Sequence, residues 1–145
     1  MTAIDETLLN EDFKAVKETE DAKRWILEQG NSLEVSAKMS PREIPSEVYW
    51  AFLRWQSYPG SLPSLKFRNL ATGSETDPEA WPILPGFRPG SLDTCVHWTA
   101  EGHSLHPEWS KGAATKHNPS GNVLFRSLCF LQDSLDSTYQ GRFKK

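Results

Sequence analysis

Between Leu92 and Trp109 the chain reads LDTCVHWTAEGHSLHPEW, which gathers Cys95, His97, His103 and His106 in one short stretch. These residue types serve two chemistries. A thiolate and imidazole nitrogens are zinc ligands, and a thiol with histidines close by is a nucleophile with candidate bases. A third reading carries no chemistry, because an unpaired cysteine is a small and often buried hydrophobe. Structural zinc sites usually draw their ligands from two separated short-spaced pairs, whereas here all four residues crowd together with no second cluster. A catalytic zinc would also want a general-base glutamate in a recognisable frame, which Glu101 and Glu108 supply only weakly. The spacing therefore predicts no bound metal, and no other cofactor is indicated.

The nucleophile reading asks for less. Cys95 follows a Gly- and Pro-rich segment and stands on TCVHW, a short extended run able to present a thiol. Alternate side chains of an extended chain share a face, so Cys95 and His97 are expected to point the same way with Cα atoms about 6.5 Å apart. At that separation His97 tunes the thiol or acts on a bound nucleophile, directly or through a water.

The rest of the chain must position these residues. A length of 145 residues suffices for one core and not two, so residues 1–145 are read as a single domain. The net charge of −3, with no basic cluster apart from Arg142, Lys144 and Lys145, lacks the electrostatic footprint of a nucleic-acid binder. MTAIDETLLNED has no apolar leader core, and no run approaches the roughly 18 apolar residues that span a bilayer. A cytoplasmic protein without a membrane partner is expected, and in that reducing setting Cys95 and Cys129 are free thiols.

Leu9, Phe13 and Val16 recur at helical spacing in a stretch free of Gly and Pro, which predicts an amphipathic helix over 7–28 with a weak point near Glu20. SLEVSAKM (32–39) alternates like a half-buried strand. VYWAFLRW (48–55) is apolar at nearly every position, as in a central strand covered on both faces. Leu65 and Phe67 mark a third strand after the turn-rich SYPGSLPS. From Ala71 to Gly90 four prolines and three glycines break all regularity, and Trp81, Ile83, Leu84 and Phe87 give this segment the mass of an ordered flap. Trp81 and Phe87 either cover a core or meet a partner there. Residues 122–138 then read as a second amphipathic helix that buries Cys129, and GRFKK reads as a solvated tail. The fold class is α+β: an antiparallel meander of three to four strands with an N-terminal and a C-terminal helix packed on it.

This order of elements resembles the ubiquitin-conjugating enzyme (UBC-like) family. YPGSLPSLKF is similar to the family's strand-preceding turn, with Tyr58, Pro59, Pro63 and Phe67 on its positions. GFRPGSLDTCVHWTAEGHSLHPEWS is similar to the passage around its thioester cysteine, with Cys95 on that cysteine and Trp109-Ser110 on the tryptophan turn. The family's His-Pro-Asn tripeptide has no counterpart in ILPGF beyond Pro85. In that respect the chain is most similar to divergent bacterial members found in antiviral defence-type operons. The resemblance implies a carrier that accepts a ubiquitin-like protein as a thioester on Cys95 from an activating enzyme and passes it to an amine of a protein target. It also implies that His97, His103 or His106 deprotonates or orients the amine, and that Asn118 or a backbone N–H supports the oxyanion in place of the missing asparagine. The alternative within the same fold is a non-catalytic UBC- or RWD-like binding module, and a zinc-binding domain is the third.

Overall fold

A computed structural model describes residues 3–145. Helix α1 (Ala3–Lys17) buries Leu9, Phe13 and Val16, the stripe its spacing predicts. The helix does not reach residue 28. Continued past Val16, that stripe lands on Glu20 and Lys23, so no apolar side chain remains to hold a further turn on the core. Thr19 Oγ1 instead donates to Val16 O at 2.7 Å and accepts Ala22 N–H, and a 3-10 turn (Asp21–Arg24) leads into strand β1 (Ile26–Gln29).

Strand β1 is followed by β2 (Glu34–Met39), β3 (Tyr49–Arg54) and β4 (Ser64–Arg68), and the sheet order β1-β2-β3-β4 is an antiparallel meander. The register sets Val35 opposite Leu53 and Leu53 opposite Leu65, so period-2 alternation gathers these residues with Ala37, Met39, Tyr49, Ala51 and Phe67 on one buried face. Strand β3 is not covered by an element on its other face, contrary to the expectation from its apolar run. Phe52 is sealed there by the Arg68 guanidinium, 3.9 Å from the ring centre, and by Trp50 at 5.0 Å. Cation–π contact takes the place of a packing layer.

Helix α3 (Val123–Ser137) packs on the inner face through Leu124, Leu128, Leu131 and Leu135. Each fully buried leucine contributes on the order of 2 kcal/mol. Its start is doubly capped. Asn122 Oδ1 accepts Phe125 N–H at 2.8 Å, and the Tyr58 hydroxyl accepts Leu124 N–H at 3.0 Å while donating to Asp12 of α1. The tyrosine of the YPGS turn thus ties sheet, first helix and last helix together.

The flap is ordered. Trp81 is fully buried and Phe87 nearly so, with ring centres 4.9 Å and 6.1 Å from Phe67, so both cover the core and neither is a partner surface. The expected solvated tail is also overturned. Gly141 O accepts Ile83 N–H at 2.8 Å, Trp81 O accepts Phe143 N–H at 3.0 Å, and Arg142 reaches Glu47 at 2.5 Å and the carbonyls of Val48 and Glu79. Backbone groups of the flap that would be left unpaired find their partners in this strap. No helix among the described residues is long and apolar enough to cross a membrane.

Candidate active site around Cys95

The end of the flap is a hairpin of β5 (Phe87–Arg88) and β6 (Asp93–Thr94), closed by an Arg88–Asp93 ion pair at 2.8 Å. Lys66 of β4 donates to Leu92 O at 2.7 Å and ties the hairpin to the edge of the sheet. Cys95 follows immediately, and its N–H donates to Gly86 O at 2.6 Å. Gly86 has φ +82°, and a Cβ there would lie 2.8 Å from Cys95 O, so the approach requires glycine. Beyond Cys95, the buried Thr94 and Thr99 hydroxyls bond each other at 2.8 Å, and Thr99 Oγ1 caps helix α2 (Ala100–Leu105) by accepting Gly102 N–H. Helix α2 then shields the β4 edge: Glu101 accepts Leu65 N–H at 3.3 Å, and Pro63 O accepts Ala100 N–H at 2.8 Å. The backbone on both sides of Cys95 is thereby fixed. Its thiol is half-buried, unbridged, and without a hydrogen-bond partner among the described residues.

The extended run ends at this cysteine. Thr99 N–H and Oγ1 both turn back to Val96 O, so residues 96–98 form a turn and the expected shared face of Cys95 and His97 does not exist. The Thr99 hydroxyl, bonded to Thr94 five residues back and to Val96 O, gives the chain local side-chain partners that compete with extension.

His97 lines a cleft of about 220 Å³ with Trp98, Lys116, His117, Asn118 and Phe130, and Cys95 is not part of its wall. Its ring meets Phe130 edge-on at 5.2 Å. Burial first, and the neighbouring His103 second, lower its pKa below the ordinary histidine value, so at neutral pH it is an unprotonated base. His103 acts on the backbone of His97, its Nε2 donating to His97 O at 2.7 Å, and its side chain lines a separate cleft with Arg54, Gln56 and Ser64. His106 is elsewhere again. It stacks on Trp109 at 4.3 Å and binds Glu108 through Nδ1 at 3.0 Å, which holds that carboxyl below its ordinary range.

The fold thus brings His97 and Asn118 into one cleft, sets His103 against the His97 backbone but in the wall of another cleft, and leaves Cys95 and His106 in the wall of neither. Asn118 is exposed, and its Oδ1 accepts Ser120 N–H at 3.0 Å, so its NH₂ is the group left to donate into the cleft. His117 joins this wall with Nε2 donating to Pro59 O at 2.7 Å, a residue the sequence reading passed over. The signal was present in Lys116-His117-Asn118, three adjacent polar residues in a loop bounded by Gly and Pro, but nothing local points from there to His97.

Among the described residues no three His, Cys, Asp or Glu side chains are placed to hold a metal ion. Cys129 packs against the core from α3, and burial pushes its thiol up to about 11. Compared with protein families, curated proteins and solved structures, the chain matches none.

Proposed function

We propose that this chain has a UBC-like fold and is a conjugating enzyme for a ubiquitin-like protein, with Cys95 as the acyl carrier. The observation that carries the reading is the placement of Cys95. It is a free, half-exposed thiol at the end of an ordered flap, after a four-stranded meander and before the helix that backs it, on a backbone clamped by Gly86 and Thr99.

In the proposed reaction the Cys95 thiolate attacks the acyl carbon of the modifier's thioester on an activating enzyme, and that enzyme's cysteine leaves as thiolate. A target amine then attacks the new thioester, the C–N bond forms, the C–S bond breaks, and the amine gives up its proton. His97, unprotonated at neutral pH, is the base nearest in sequence, with His117 beside it in the cleft. The Asn118 NH₂ or a backbone N–H is the candidate oxyanion donor. One observation favours the alternative of a non-catalytic binding module: no imidazole or carboxamide is hydrogen-bonded to the Cys95 thiol among the described residues.

The test is loading. With an activating enzyme, ATP and its ubiquitin-like protein, the chain should form an adduct cleaved by a thiol reductant. Cys95→Ser should give a reductant-resistant oxyester or none, and Cys129→Ser should load normally. Normal loading of Cys95→Ala would place the acyl group elsewhere and leave the binding module.

A further inference from the structure

Seven arginines occur in the chain. Six of them meet carboxylates: Arg24 and Arg42 share Asp136, Arg54 and Arg68 share Glu75, Arg88 meets Asp93 and Arg142 meets Glu47. Arg126 is the exception among the described residues. Its guanidinium donates to two carbonyl oxygens, Ser120 O at 2.9 Å and Asn118 O, and no carboxylate among the described residues forms an ion pair with it. Arg126 lines the His97 cleft, as does Lys116, which is likewise unpaired.

The surroundings deepen the imbalance. From Ser110 to Gln132 the sequence holds Lys111, Lys116, His117 and Arg126 and no Asp or Glu, in a chain whose net charge is −3. Of these, Lys116 and Arg126 line the cleft, so two cations without a paired carboxylate share one place on a chain of net charge −3, and an anion is the occupant such a field attracts. The cleft also has apolar walls in Leu62, Trp98 and Phe130. Its volume of about 220 Å³ is smaller than the roughly 300–1,000 Å³ of sites that enclose a free small molecule, so it suits one side chain of a larger partner. A glutamate fits both features, with methylenes against the aromatic wall and a carboxylate toward the guanidinium, the geometry in which charge-assisted hydrogen bonds are strongest.

We propose that the cleft between α3 and residues 113–118 is a carboxylate-binding site that seats an acidic side chain of a protein partner. Binding of this kind needs neither a thioester nor an activating enzyme. If Cys95 carries an acyl group as proposed above, the site would select acceptors that bear an acidic residue near the reacting amine, and that extension rests on the conjugating-enzyme reading.

The experiment titrates the purified chain with a short, capped, alanine-based peptide containing one glutamate, and with its glutamine twin, while the ring signals of His97, His117 and Trp98 are followed by NMR. The glutamate peptide should shift all three rings saturably and the glutamine peptide should not. Lys116→Glu, at an exposed side chain with no contact to lose, should weaken the binding about tenfold or more, as should Arg126→Gln, the loss expected for one charge-assisted hydrogen bond. Inorganic phosphate is the second arm. Equal response to both peptides, saturation by phosphate but not by the glutamate peptide, or unchanged binding in Lys116→Glu would overturn the proposal. Cys95→Ala should bind the glutamate peptide like the parent chain, so a failure of loading and a failure of this site are read separately.

Discussion

Gly86 and Cys95 are locked backbone to backbone: the Gly86 carbonyl accepts the Cys95 amide at 2.6 Å, and any side chain at 86 would come within 2.8 Å of the Cys95 carbonyl. The thiol is therefore positioned from the flap, through an atom that belongs to no side chain. Gly86→Ala must both strain φ +82° and push the two segments apart, which should cost about 2 kcal/mol of stability and alter the rate at which Cys95 reacts with a thiol reagent. Denaturant unfolding and labelling kinetics measure the two effects. A variant as stable and as reactive as the parent would remove Gly86 from the account.

The two thiols should differ in reactivity. Burial raises the Cys129 thiol to about 11, which leaves on the order of one thiol in 10³–10⁴ ionised near pH 7.5. Limited alkylation followed by peptide mass analysis should find Cys95 modified first. Labelling that begins at Cys129 would contradict the burial assigned to α3.

Tyr58→Phe should destabilise by roughly 1–3 kcal/mol, because the Leu124 N–H at the start of α3 loses its acceptor and Asp12 loses its donor in a part-buried site. The ring and its packing are retained, so the loss seen in thermal unfolding belongs to the hydroxyl alone. An unchanged melting point would mean that water replaces it without cost.

Glu75 sets an acid limb. Hydrogen bonding from Arg54 first, and from Arg68, lowers its carboxyl from 4.5 to about 2. A carboxyl whose folded pKa is depressed lends stability that is full above its unfolded value and fades as pH falls toward the folded one. Glu75→Gln should therefore cost roughly 1–2 kcal/mol at pH 7, a figure reduced for partial exposure, and the gap to the parent should close between about pH 4.5 and 2. A gap that is constant over this range would show that the carboxylate's charge contributes nothing.

Arg142→Ala should loosen the flap more than it lowers global stability. The guanidinium joins Glu47, Val48 O and Glu79 O and lies 4.3 Å from the Tyr49 ring centre, whereas Trp81 and Phe87 pack independently of it. Faster proteolysis confined to residues 71–90, with a small change in melting temperature, is the expected signature. Uniform protection would show the flap to be held by its aromatics alone.

Much of this architecture was legible in local pattern. The period-2 run at 32–39 and the helical stripes at 9, 13, 16 and at 124, 128, 131, 135 each state which face is buried, and burial fixed those elements. What failed depended on distant partners. Trp25-Ile26-Leu27 is a short apolar run that serves helix or strand equally, and pairing with residues 35–38 made it a strand. GRFKK is polar by composition, yet its backbone completes the flap. His97 and His117 are far apart in sequence and meet because Phe130 and Trp98 define one wall between them, a juxtaposition that no spacing rule encodes.

The strap at 140–143 has a consequence for biosynthesis. Arg142 follows its flap partner Glu79 by 63 positions. At translation rates of roughly 5–20 residues per second, the flap is synthesised some 3–13 s before the segment that fastens it. During that interval Trp81 and Phe87 depend on an unfinished core, since α3 is synthesised in the same window. Until the strap is made, Trp81 and Phe87 are fastened by their contacts with Phe67 and with each other alone, and the flap that positions Cys95 through Gly86 is open to aggregation and to chaperone capture.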